Sequence, residues 1–151
     1  MSNVKTFEKI LNVKMIEKDK AHKNYQEAMD YFEVNATELY YLLKEKEDFE
    51  AEMSNSIQSS VSADQLRNYD QYIQTLNQKI KASQQNVQSA RTNMELKQQS
   101  LTESYIELKK YEKIVSNKKT IIKKLEEKHE REVIDEASVQ QFIRGQEKVR
   151  P

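Results

Sequence analysis

From its first residue to residue 144 the chain contains neither glycine nor proline; the single Gly is Gly145 and the single Pro is Pro151. Those two residues interrupt regular structure more strongly than any others, so a loop-rich β fold is excluded and long unbroken helices are expected. The 151 residues are 36% hydrophobic and 33% charged. That apolar share is thin for a compact globule but enough for helices that bury a narrow seam. The expected class is all-α, of coiled-coil type.

The second half of the sequence carries an apolar series in alternating steps of three and four. It runs Leu66, Tyr69, Ile73, Leu76, Ile80, Ser83, Val87, Ala90, Met94, Lys97, Leu101, Ser104, Leu108, Tyr111, Val115, Lys118, Ile122 and Leu125. An unbroken period of about 3.5 residues over that length specifies a coiled-coil helix. After Leu125 the same steps meet His129, Glu132 and Glu136, and the seam is lost or drifts toward Val133, Ile134 and Ala137. The first half has a less regular series: Val4, Phe7, Leu11, Lys14, Lys18, Ala21, Tyr25, Ala28, Phe32, Asn35, Leu39, Leu42, Lys46, Phe49 and Met53. Its four polar members leave room for Met15 or Leu43 to share the seam.

Between the two series lies SNSIQSSVS, residues 54–62, rich in serine and poor in charge. Ser62 followed by Gln65 is a capping-box pattern, and Asp64 suits the positive end of a helix dipole. Helix one is therefore expected over about 4–53, a hinge over 54–62, and helix two over about 63–143, with Gly145 disfavouring order beyond Arg144. The two helices should fold back as a single antiparallel coiled-coil hairpin over residues 1–151. Helix one would be about 75 Å long and helix two about 110 to 120 Å. A reversal near Gln58 sets residue 4 opposite about residue 112, so helix two overhangs beyond about Lys113. The seam residues Val115, Ile122 and Leu125 would then lack cover, which a helix in water needs. They are the candidate contacts to a partner, or to a second copy.

Charge and residue types exclude several functions. There are 25 basic and 25 acidic residues and no cysteine, so disulfides and thiolate chemistry are absent. A global attraction to nucleic acid is not expected either. The charges are unevenly placed: seven lysines and only Glu112 lie between Lys109 and Lys124, followed by six carboxylates against Lys128 and Arg131 between Glu126 and Glu136. That pattern reads either as a docking surface or as a solvated face with i,i+4 pairs. His22 and His129 are the only histidines and stand far apart in the hairpin, giving no metal site. No glycine-rich phosphate loop is possible, and no cleft is expected to hold a reaction. The expectation is no enzyme, no cofactor and no metal. The N-terminus lacks a signal-peptide core, and no apolar run is long enough to span a membrane.

The tyrosines divide by position. Tyr25, Tyr69 and Tyr111 are on the seams, whereas Tyr40, Tyr41, Tyr72 and Tyr105 are off them. Off-seam aromatics either flank the core or form binding hot spots.

The segment NYDQYIQTLNQKI, Asn68–Ile80, and the closing segment EREVIDEASVQQFIR, Glu130–Arg144, in a hairpin of this length, resemble the FliJ family of the bacterial flagellar type III export apparatus. The resemblance implies a stalk, akin to that of rotary ATPases, inserted through the hexameric export ATPase. It implies coupling of that ring to the export-gate membrane protein, and escort of export chaperones. The free end carrying Val115, Ile122 and Leu125 would face the ATPase ring. The gate-contacting positions of the family match Leu42, Phe49, Tyr72 and Leu76. Glu45, Lys79 and Ser83 depart from the family pattern, and Leu42, Phe49 and Leu76 also fall on the seam, so core and interface remain open for them. The implied location is cytoplasmic, peripheral to the membrane at the flagellar base, with a chain that is monomeric when free. The alternatives are a homo-oligomeric coiled-coil scaffold, a rotary-ATPase stalk subunit without an export role, and a client-holding helical hairpin.

Overall fold

A computed structural model describes residues 2–149 of the chain. They form two long helices packed against each other, α1 over Ser2–Gln58 and α2 over Ala63–Val149, with no strand among the described residues. The second is the longer, 87 residues against 57. The helices group into two compact units. One comprises residues 17–104. The other combines the α1 segment up to Ile16 with the α2 segment from Tyr105 onward.

The non-helical link is shorter than the serine-rich stretch suggested. Ser54 to Gln58 remain helical, because serine lowers helix propensity without breaking a helix. The chain leaves α1 through a hydrogen bond from Ser59 N–H to the Ser56 carbonyl at 3.1 Å, and Ser60 takes a left-handed φ of 67°. Glycine usually fills such a position. At the start of α2 the capping box is formed: Gln65 N–H donates to Ser62 Oγ at 3.2 Å, and Ser62 N–H donates to Gln65 Oε1 at 3.3 Å. At its far end α2 passes through Gly145 to Val149, beyond the stop expected near residue 143. A single exposed glycine costs a helix only about 1 kcal/mol, too little to end it.

In the unit of residues 17–104 the helices run antiparallel, with Phe49 against Tyr69 and Tyr72, and Arg91 over Phe32. Its core is Ala21, Ala28, Leu76, Ile80, Val87 and Ala90, with Asn35 and Ser83 buried among them. The alanines and Ser83 let the two helices approach closely, and Leu76, Ile80 and Val87 fill the space between them. Asn35 sits in that core by donating its Nδ2 to the Tyr31 carbonyl at 2.8 Å, which removes the cost of a buried amide. Leu43 stays on the exposed side, so the seam does not drift to it.

In the other unit the helices are again antiparallel: Lys14 lies 3.9 Å from Glu107, and Glu8 lies 3.0 Å from Lys119. The polar seam members have a physical role here. The Lys118 ammonium stands 4.8 Å over the Phe7 ring, and that of Lys14 stands 5.8 Å over Tyr111. Long aliphatic stems cover the seam while the charges meet aromatic faces and water. Met15 is exposed and takes no part. Within this unit α1 covers α2 as far as Lys118 and Lys119, several residues beyond the expected limit at Lys113. Val115 is thereby buried, at 5% exposure, and does not belong to an uncovered end.

Candidate partner-binding surfaces

Within the unit of residues 17–104, Phe49 of α1 is the centre of an aromatic cluster. Its ring lies 4.4 Å from that of Tyr72 and 5.7 Å from that of Tyr69 in an edge-on contact. The two tyrosines are three apart on α2, so both reach the same α1 residue, one from the seam and one from beside it. Tyr69 is half-buried. Tyr72 is 39% exposed and its hydroxyl donates to the Glu45 carboxylate. That hydrogen bond, then partial desolvation, then the nearby negative charge push the Tyr72 phenol above the usual tyrosine range. Tyr41, Lys44, Glu45, Asp48, Phe49, Glu52 and Tyr72 line a shallow groove of about 410 Å³.

The four residues matched to a gate-binding surface do not share one environment. Tyr72 and the accessible part of Phe49 line the groove. Leu42 is half-buried on the seam. Leu76 is only 2% exposed and is a core residue, closed to a partner while the helices remain paired. Ser83 is likewise buried. The groove also contains Lys44, Asp48 and Glu52, which the seam pattern did not single out. Glu45 meets Tyr72 across the helix pair, and no local sequence signal marks such a contact.

In the other unit the seam of α2 runs out of cover. Ile122 is half-buried, and every described side chain from Lys123 to Glu147 is exposed. Leu125 is 61% exposed, and Val133, Ile134, Val139, Phe142 and Ile143 are also open. Ile122, Leu125, Glu126, His129 and Glu130 border a shallow depression of about 360 Å³. Of the three residues assigned to a ring contact, Ile122 and Leu125 are therefore available and Val115 is not. A further apolar groove of about 550 Å³, lined by Tyr25, Met29, Phe32, Tyr40 and Met94 among others, lies on the unit of residues 17–104.

Among the described residues no group of three or more His, Cys, Asp or Glu could hold a metal ion, and no helix is long and apolar enough to cross a membrane. What these surfaces offer is exposed aromatic and aliphatic side chains beside charges, the chemistry of protein contacts. A model of the flagellar FliJ protein family matches residues 3–147. The chain belongs to the FliJ family. The flagellar FliJ protein of Bacillus subtilis is 32% identical over 137 residues, which cover 91% of this chain and 93% of that protein. No solved structure matches the chain. Membership of the FliJ family points to a flagellar export component and to no known enzyme family. The family match spans both candidate surfaces, the groove around Tyr72 and the uncovered α2 seam.

Proposed function

We propose that this FliJ-family chain is a coiled-coil stalk of flagellar protein export. It binds the hexameric export ATPase ring, couples that ring to the export-gate membrane protein and escorts export chaperones, with no catalysis of its own. It works at the cytoplasmic face of the membrane at the flagellar base. The observation that carries the reading is the uncovered apolar seam of α2 at Ile122 and Leu125 in a chain of this family. Apolar helix surface exposed to water is stabilised by packing into a partner, and a ring lumen would provide it. The groove beside Tyr72 is the proposed gate contact, with Tyr72 and Phe49 as its aromatic anchors.

Purified chain mixed with the export ATPase is expected to bind it and to stimulate ATP hydrolysis. The double variant Ile122→Glu, Leu125→Glu should lose most of the stimulation while keeping its helix content. Wild-type chain that neither binds nor stimulates the ATPase would sink the reading. Tyr72→Ala should weaken binding to the export gate and leave stimulation of the ATPase intact. The same uncovered seam also favours a second reading, self-association as a scaffold. Light scattering separates the two: a stable dimer at micromolar concentration supports the scaffold, and a monomer supports the stalk.

A further inference from the structure

The seam and the aromatic groove leave one strongly charged surface unexplained. Lys109, Lys113 and Lys124 project from α2 with Asn117 and Thr120 between them, and all five are exposed. At 100° per residue they fall on the side of α2 away from the buried Leu108 and Val115. No carboxylate stands on that outward face between Ile106 and Lys124. Glu107 and Glu112, the acidic residues of the stretch, are half-buried beside the seam, where they lie 3.9 Å from Lys14 and 3.1 Å from Lys109. Lys113, Lys123 and Lys124 have no ion-pair partner among the described residues. Counting residues 1–16 together with 105–124, ten basic side chains stand against three acidic ones. The sign then reverses, with six acidic against two basic residues over 126–136, on the part of α2 that nothing covers.

We infer that this outward lysine ridge docks onto an acidic protein surface at the mouth of the ring that receives the uncovered end of α2. The inference rests on the ATPase reading given above and adds the chemistry of its entry. An excess of one sign over so short a stretch attracts a surface of the opposite sign over about a Debye length and speeds encounter. The order of charges, basic and then acidic along one helix, fixes which way the helix enters a partner of the reverse order. An anionic membrane fits less well. A helix lying along it would bring the acidic excess of residues 126–136, six carboxylates against two basic side chains, close to lipid of the same charge.

Association of the full chain with the purified ATPase is to be followed from about 0.03 M to 0.3 M salt, where screening increases several-fold. The wild-type association rate is expected to fall by about tenfold or more across that range, with little change in dissociation. The triple variant Lys109→Glu, Lys113→Glu, Lys124→Glu should associate about tenfold more slowly at low salt and show a flatter salt dependence. The matching triple Gln variant, which keeps helix-forming side chains, should fall between the two. Leu125→Glu should act in the opposite way, on dissociation. Salt-independent association of the wild type, or a triple Glu variant that associates at the wild-type rate, would overturn the ridge and leave the ATPase reading standing. Wild-type chain that does not bind the ATPase would remove that reading and the ridge with it. Vesicles containing phosphatidylserine are the remaining arm: binding to them that the triple Glu variant abolishes would assign the ridge to lipid and overturn a protein partner.

Discussion

Val115 and Leu125 lie ten residues apart on the same helix, in phase with the same seam, yet one is 5% and the other 61% exposed. Their own helix does not distinguish them. The difference is the N-terminal end of α1, which carries Phe7 beneath Lys118 and Glu8 against Lys119 and supplies no cover further along. Burial in a two-helix pair is thus a property of the partner's reach. That reach depends on where the chain turns. A turn displaced by only a few residues shifts the limit of cover by twice as many, enough to move Val115 from the expected uncovered surface into the core.

The comparison of covered and uncovered seam can be broken most directly by truncation. Leu76→Ala, at the most deeply covered position, is expected to cost about 2 to 5 kcal/mol of unfolding free energy in a urea titration. A loss under about 1 kcal/mol would return Leu76 to the list of partner contacts. Tyr69→Ala, which removes the edge-on contact with Phe49, should cost about 3 kcal/mol if the half-buried ring packs as the cluster indicates. Val115→Ala removes two buried methyl groups, about 1 to 2 kcal/mol. Leu125→Ala, on the uncovered side, should stay within about 0.5 kcal/mol. Equal losses at Val115 and Leu125 would mean that Leu125 is covered in solution, as it would be in a self-associated chain.

Most of this fold was legible because a coiled-coil seam is written directly in the spacing of side chains. On α1 every member of the series from Val4 to Met53, including Lys14, Lys18, Asn35 and Lys46, is buried or half-buried. The polar members looked like weaknesses and are instead accommodated by aliphatic stems, aromatic faces and a backbone carbonyl. On α2 only the two ends of the series, Leu66 and Leu125, are exposed. The turn was less legible, since serine is tolerated in helices and loops alike and Ser60 adopts its left-handed conformation without the glycine that would announce it. At the candidate gate surface, Tyr72 stood out because it is off the seam. Glu45 stood out only as a departure from the family pattern, and its contact with Tyr72 was not legible because the two are 27 positions apart along the chain.

A smaller effect tests the turn, which sets how far α1 reaches. Ser60 holds a positive φ, a conformation that costs a residue with a Cβ about 1 to 2 kcal/mol. Glycine avoids that cost but loses more backbone entropy on folding. Ser60→Gly should therefore stabilise the chain by a net of about 0.5 to 1 kcal/mol, read as a higher urea midpoint with an unchanged slope. Destabilisation would show that the link adopts a different turn, and the limit of cover on α2 would have to be redrawn.

The smallest effect concerns Tyr72, the aromatic that lies beside the seam of the unit of residues 17–104, against Phe49. Its phenol is held above the ordinary value of about 10, chiefly by the hydrogen bond to Glu45. The folded chain therefore keeps a proton that the unfolded chain releases. The associated stabilisation is complete below about pH 10 and is lost as pH rises through the folded-state value. Because the pair is open to water, the contribution is a slight steepening of alkaline destabilisation and not a separate transition. Tyrosinate absorbance of the wild type minus that of Tyr72→Phe isolates the one phenol among eight. It should titrate later than a free tyrosine, and Glu45→Gln should bring it back toward the ordinary range. A Tyr72 that titrates normally in the wild type would mean that its ring is not tied to Glu45. The groove around Phe49 would then be a looser surface than the one derived from the packing of the two helices.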